Sequence, residues 1–266
     1  MQPLTVDAIE RCSRALDEDG YVILPGVVDP GLLDVFCKTI DDEYQRVNGD
    51  GQLLHGGGSF SGHLNCYPGE PARAAYEQMS ESGVFEVIRA IRPDLADRPR
   101  VTLNYNLPGS VPQHYHMDGM YTRDFLICNV AVVDTNLVNG ALDVLPGTHR
   151  TFLPFWKYAV RRTWRRTTRV PLKQGDVVIR RSTLWHRGMP NNSARPRQML
   201  AVTFGEVPEV GRDPITDQGG ATEFYPNWFR PTRLGRLRER IFVAAPISYA
   251  AYRFARSLDG RKGYDR

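Results

Sequence analysis

From Arg100 to Pro208 the chain breaks into short runs rich in β-branched, aromatic and other apolar residues. Each run is closed by Gly, Pro or Asn: "VTLNYNL", "DFLICNVAVV", "GALDVLP", "DVVIRR" and "QMLAVTFGEV". Runs of this length, with turn residues between them, are antiparallel strands, and a series of them builds a sandwich or barrel. The expected fold class is therefore mainly β with flanking helices.

The flanks carry a different period. Val6, Ile9, Cys12 and Leu16 recur with helical spacing. After the short β-rich run "YVILPGVV", Leu32, Leu33, Phe36, Ile40, Tyr44 and Val47 mark a second helix from about Asp29 to Val47. A third helix is expected from about Arg73 to Ile91, and a basic amphipathic helix after Pro226, packed on the barrel or on a partner subunit. Between the second and third helices, residues 48–70 have no period and seven glycines, which suits a lid or a surface loop. We expect one domain over 1–266, helix-rich over 1–98, with its β core at 99–208 and a C-terminal helical segment at 226–260.

Charge narrows the partner. With 34 basic and 30 acidic side chains the net charge is +4, too mild for nucleic acid and suited to a small-molecule substrate. Five arginines in "RRTWRRTTR" (161–169) read as a solvated rim or as an attractor of an acidic or phosphate-bearing substrate. The four cysteines form no C-x-x-C pair, so a cytoplasmic, reducing setting is expected. No signal peptide is evident in "MQPLTVDAIERC". The longest apolar stretch, 241–252, is too short for a bilayer and contains Pro246, so no membrane partner is expected. Monomer and homodimer both remain open.

The chemistry is concentrated in "QHYHMDG" (113–119). On a strand, residues two apart share a face, so His116 and Asp118 would point together with Met117 opposite. An imidazole beside a carboxylate is two-thirds of the facial triad that holds ferrous iron and leaves other positions open. A His–Asp hydrogen bond on a surface turn is the competing explanation, and His114 is a competing ligand. The missing ligand is expected from "STLWHRGMPNNSARPRQMLAVTF", where His186 ends one β-like run and Arg197, eleven residues on, opens the next. A guanidinium set behind a metal would pair with a carboxylate through two hydrogen bonds. On its own, Arg197 better suits a surface position before a strand, and the His116–Asp118 pair reverses that balance.

Four segments then carry a specific resemblance: "DEDGYVILPGVVD", "YNLPGSVPQHYHMD", "NGALDVLPGTHR" and "WHRGMPNNSARPR", spread from about residue 15 to 205. The chain resembles the phytanoyl-CoA dioxygenase family of Fe(II)- and 2-oxoglutarate-dependent oxygenases. The resemblance implies a double-stranded β-helix, or jelly roll, of the cupin-like kind. It implies iron on His116, Asp118 and His186, and the distal carboxylate of 2-oxoglutarate on Arg197. Gln113, Asn106 and Asn129 fall where relatives contact the cosubstrate, and His149 is expected to be structural. Molecular oxygen is the implied co-reactant, with ascorbate as reductant. Two positions depart from the family: Gly188 stands where a serine often touches the cosubstrate, and Asn106 where some members have lysine.

The implied reaction is oxidation of a C–H bond, by hydroxylation or oxidative cyclisation. Asp118 occupies the place that related halogenases leave to a halide, which implies oxygenation or desaturation-type chemistry over chlorination. His63, Asn65, Tyr115 and Tyr121 are the candidate substrate contacts, and their polarity suggests a small polar metabolite such as an oligosaccharide, polyketide or peptide antibiotic. Two other classes share the barrel: a 2-oxoglutarate-independent metal enzyme and a non-catalytic binding module. The first has no need of Arg197, and the intact set of His116, Asp118, His186 and Arg197 argues against the second.

Overall fold

The fold comes from a computed structural model and covers residues 6–49, 58, 60–95, 99–205, 213–225 and 232–259. Helix α1 (Val6–Glu18) buries Cys12 and Leu16 and leads into strand β1 (Tyr21–Leu24). Helix α2 (Pro30–Gly49) opens on a proline, whose fixed φ and missing N–H suit a first turn. It buries Leu33, Phe36 and Ile40 at helical spacing. Each such side chain contributes about 1.5–3 kcal/mol relative to exposure.

Two expectations for the front section need correction. The stretch expected to lack regular structure contains strand β2 (His63–Tyr67). Residues 50–57, His55 among them, lie outside the described residues, and the lid expectation lies there with them. The third expected helix is two helices, α3 (Arg73–Glu81) and α4 (Val84–Ile91). Gly83 separates them at φ 86°, a left-handed conformation that glycine adopts without the penalty of a Cβ.

The β-rich span supplies β3 (Pro99–Asn106), β4 (Leu126–Ala131), β5 (Leu142–Val144), helix α5 (Phe155–Val160), β6 (Thr168–Val170), β7 (Val177–Arg181), β8 (His186–Arg187) and β9 (Arg197–Phe204). Strand β10 (Glu223–Tyr225) follows. They form two antiparallel sheets, β1-β7-β4-β9-β3-β2-β10 and β6-β5-β8, which face each other as a jelly roll. The large sheet draws β1, β2 and β10 from outside 99–208, so its outer strands come from both flanks.

Strand alternation decides what each face does. Leu103, Leu200, Val202 and Phe204 point outward and pack in one core with Leu33, Phe36, Met79 and Ile88 of the helices. Their neighbours Thr102, Asn104, Asn106, Met199 and Thr203 point to the barrel interior. The helices cover one face of the sheet and leave the other to a polar cavity.

The C-terminal helix is also broken, into α6 (Arg233–Ala244) and α7 (Pro246–Arg256), because Pro246 has no N–H to continue the first. Thr232 caps α6 by accepting the N–H of Gly235. Two contacts fasten the pair to the barrel. Arg253 Nη1 donates to the carbonyl of Tyr115 at 2.9 Å. Glu239, fully buried on α6, accepts at Oε1 the backbone N–H groups of Gly58 (2.8 Å), Phe60 (3.2 Å) and Ser61 (3.0 Å), and the Ser61 hydroxyl at 3.0 Å.

Candidate active site

His116 and His186 meet as a cross-strand pair. The N–H of His116 donates to the His186 carbonyl at 2.9 Å, and that of His186 to the His116 carbonyl at 2.8 Å. This exchange puts both rings on the inner side, with centroids 4.4 Å apart. His116 is a single bridge residue, not part of a longer strand as expected, yet the alternation holds. Met117 is buried outside the barrel with Tyr115 and Trp185. Each imidazole is oriented by the carbonyl two residues before it: His116 Nδ1 to His114 O at 2.9 Å and His186 Nδ1 to Leu184 O at 3.0 Å. With Nδ1–H donating there, Nε2 is the nitrogen presented to Asp118, whose oxygens lie 3.6 Å and 3.5 Å away.

Asp118 is placed by its own N–H, which donates to the Ser182 carbonyl at 2.8 Å. One ligand atom from each of His116, Asp118 and His186 lies within 4.8 Å of the others, close enough to hold one metal ion. His114 is not in this cluster. Its ring lies 5.9 Å from Phe242 and 5.2 Å from Tyr249 of the C-terminal helices. The donor set of two imidazole nitrogens and a carboxylate fits ferrous iron.

Arg180 is the residue the sequence reading missed. It is 6% exposed, donates from Nε to Asn129 Oδ1 at 3.0 Å, and meets Asp118 Oδ2 through Nη2 at 2.7 Å. Its Nη1 is buried without a hydrogen-bond partner. Burial alone would raise the Asp118 pKa. The Arg180 guanidinium and the two imidazoles outweigh it and hold the carboxyl well below its usual range. The signal was present in "DVVIRR": with Val178 facing inward, Arg180 two residues on must face inward too.

Arg197 opens β9 opposite Asn106 and is 5% exposed. Among the described residues it faces no carboxylate, and its Nε has no hydrogen-bond partner. Burial lowers its pKa to about 10, so it stays charged at neutral pH. A buried cation without a counter-ion is costly, which fits a site completed by an anionic ligand.

The expected cosubstrate contacts line the same cavity. Asn106 donates from Nδ2 to the Met189 carbonyl at 3.1 Å and keeps a buried Oδ1 unpartnered. Gln113 Oε1 accepts the N–H of Gly188 at 2.7 Å. A Cβ added at Gly188 would sit 2.9 Å from that oxygen and 3.4 Å from the His63 ring. The glycine in the usual serine place is therefore what lets Gln113 lie there. Asn129 lines the cavity and accepts the Arg180 Nε–H at 3.0 Å.

His63 and Asn65 line the same cavity of about 500 Å³, whereas Tyr115 and Tyr121 do not. Tyr115 lies outside, its hydroxyl donating to Asp143 at 2.6 Å, and Tyr121 packs against Phe152. Nor do any of residues 161–169 line it. His149 contacts the Asp17 carbonyl at 3.2 Å, away from the ligand cluster.

His63 adds a pH dependence. Burial lowers its pKa from 6.5 to about 4, opposed by the Val111 carbonyl 2.7 Å from Nε2 and reinforced by Arg197 and His116. The unfolded chain therefore binds the proton first as pH falls. Its contribution is full above pH 6.5 and is lost by about pH 4, on the order of 3 kcal/mol in all. Denaturant unfolding of metal-free wild type and His63→Gln, at pH 7 and pH 4.5, should show a steeper acid loss for wild type. Parallel pH profiles would rule this out.

The profile of the phytanoyl-CoA dioxygenase (PhyH) family matches residues 16–199. An iron/alpha-ketoglutarate-dependent dioxygenase, ausU, of Aspergillus calidoustus is 25% identical over 73% of this chain and 70% of its own. A methylphosphonate hydroxylase of Gimesia maris is 26% identical over 73% of this chain and 79% of its own. Among solved structures, the non-heme alpha-ketoglutarate-dependent epimerase SnoN from nogalamycin biosynthesis superposes with a TM-score of 0.58 at 20% identity. It covers 79% of this chain and 91% of that one.

Proposed function

Because the chain belongs to the phytanoyl-CoA dioxygenase family and is an iron- and 2-oxoglutarate-dependent dioxygenase, we propose that His116, Asp118 and His186 hold its ferrous ion and that Arg197 binds the distal carboxylate of 2-oxoglutarate. The observation that carries this reading is the pairing of the His–Asp–His cluster with a buried guanidinium that faces no acid among the described residues. When bound, iron and 2-oxoglutarate supply the oxidising power: molecular oxygen is reduced, 2-oxoglutarate is decarboxylated to succinate, and a substrate C–H bond is oxidised.

The protein's own part is placement. The His114 and Leu184 carbonyls fix the imidazole tautomers. Arg180 holds the Asp118 carboxylate ionised and in one orientation. Asn106 and Gln113, which line the cavity, would contact the cosubstrate, with Gln113 seated on Gly188. Outward packing of the apolar residues closes the barrel wall against water.

In this reading the substrate is a small polar molecule, modified by hydroxylation or cyclisation in the making of a specialised metabolite such as an antibiotic. The likeness to an epimerase of nogalamycin biosynthesis and the polar interior at Asn65 and Asn104 support it. We place the enzyme in the cytoplasm, as a monomer or homodimer and a single domain. No helix among the described residues is long and apolar enough to cross a membrane. Purified protein given Fe(II), 2-oxoglutarate, ascorbate and oxygen should release succinate, and a chelator should stop it. Release that is indifferent to iron would overturn the assignment.

A further inference from the structure

The cavity extends beyond the residues assigned so far. Register pairs Arg180 with Ile127, Ile127 with Thr203, and Thr203 with Arg100, so these four form one row across β7, β4, β9 and β3. All four line the cavity. At the ordinary strand spacing the row places the Cα of Arg100 roughly 14 Å from that of Arg180. Along β3, Arg100 lies six residues from Asn106, the partner of Arg197, or about 20 Å in an extended strand. A five-carbon diacid held at Arg197 does not reach it.

Arg100 is preset in its position. It is half-buried, donates from Nη2 to the Tyr67 hydroxyl at 3.0 Å, and lies 5.6 Å from the centre of the Tyr67 ring. Tyr67 in turn stacks on Tyr225 at 4.3 Å. No acidic partner faces Arg100 among the described residues. The inner positions between it and the metal ligands include the polar Thr102, Thr203, and Asn104 bonded to Asn65 at 3.0 Å, beside the apolar Ile127 and Ala201.

The charge balance points the same way. Among the described residues, the cavity lining holds three guanidinium groups, of Arg100, Arg180 and Arg197, and one carboxylate, of Asp118. A ferrous ion and a 2-oxoglutarate dianion cancel each other, so the surplus of positive charge persists in the loaded site. Charges shielded from water want counter-ions.

We infer that the substrate is an acidic molecule whose carboxylate, sulfate or phosphate group pairs with Arg100, remote from the carbon presented to the metal ligands. The inference rests on the reading of Arg197 as the 2-oxoglutarate anchor. Arg100 then selects for charge, while Thr102, Thr203 and the Asn65–Asn104 pair meet polar groups along the way.

The test uses the full chain loaded with Fe(II) and 2-oxoglutarate without oxygen, titrated calorimetrically with sulfate, acetate and glycerol. One or both anions should bind alongside 2-oxoglutarate, and glycerol should not. Whichever anion binds more tightly identifies the acid class. Arg100→Gln should weaken anion binding at least about tenfold, and Arg100→Lys should retain most of it. Anions that bind equally well to Arg100→Gln, that bind only in competition with 2-oxoglutarate, or that do not bind at all would overturn the inference and leave the iron and cosubstrate assignment standing. A wild-type protein that takes up no 2-oxoglutarate would overturn that assignment, and this inference with it.

Discussion

Asp118→Ala is expected to lose iron-dependent succinate release by on the order of a thousandfold or more, beyond the tenfold to hundredfold typical of groups that only support a ligand. It should also weaken the metal-free fold. Asp118 is the carboxylate that meets Arg180 at 2.7 Å, and Arg180 is buried. Removing one partner of such a pair leaves a charge uncompensated, at about 3–5 kcal/mol. The two effects separate in the double variant Asp118→Ala, Arg180→Met, which should recover most of the stability and none of the turnover. Thermal unfolding read beside a succinate assay decides it. Turnover in the double variant would show that Asp118 serves the fold and not the metal.

Arg197→Met is expected to move stability and function in opposite directions. Its guanidinium lies buried with no acid facing it among the described residues, so an apolar side chain of similar length should stabilise the ligand-free protein. For a chain of this size each kcal/mol recovered raises Tm by about 2–4 °C. The same change would remove the charged contact proposed for the cosubstrate. The 2-oxoglutarate requirement should rise about a hundredfold, the equivalent of roughly 3 kcal/mol. A lower Tm with an unchanged requirement would mark Arg197 as a structural residue.

The clustering of the proposed ligand residues was legible because metal chemistry limits the residue types and strand geometry limits their spacing. His116 and Asp118 two apart, and Arg197 eleven after His186, are patterns that survive without coordinates. Other features turn on partners distant in sequence. Arg180 reads as one of two arginines ending a strand, and its link to Asp118 exists only once β7 lies beside the 116–118 segment. Tyr115 and Tyr121 were drawn into the candidate substrate set by nearness to the ligands, but alternation sends Tyr115 outward beside Met117. The helix breaks at Gly83 and Pro246 were written in single residues that a periodic apolar pattern runs across. Strand β2 was hidden because glycines dominate its surroundings, and its partners on β3 lie 37 to 43 residues on.

The carboxylate of Glu239 gives the C-terminal helices a bearing on the pocket. It gathers three amides just ahead of β2, the strand that brings His63 and Asn65 to the cavity. Anything that prises α6 away from the barrel, whether heat, a protease cut or a binding protein, must release those amides to solvent together. One wall of the pocket would then slacken at the same moment, so slow deuterium uptake at Gly58, Phe60 and Ser61 would serve as a gauge of whether the tail is seated.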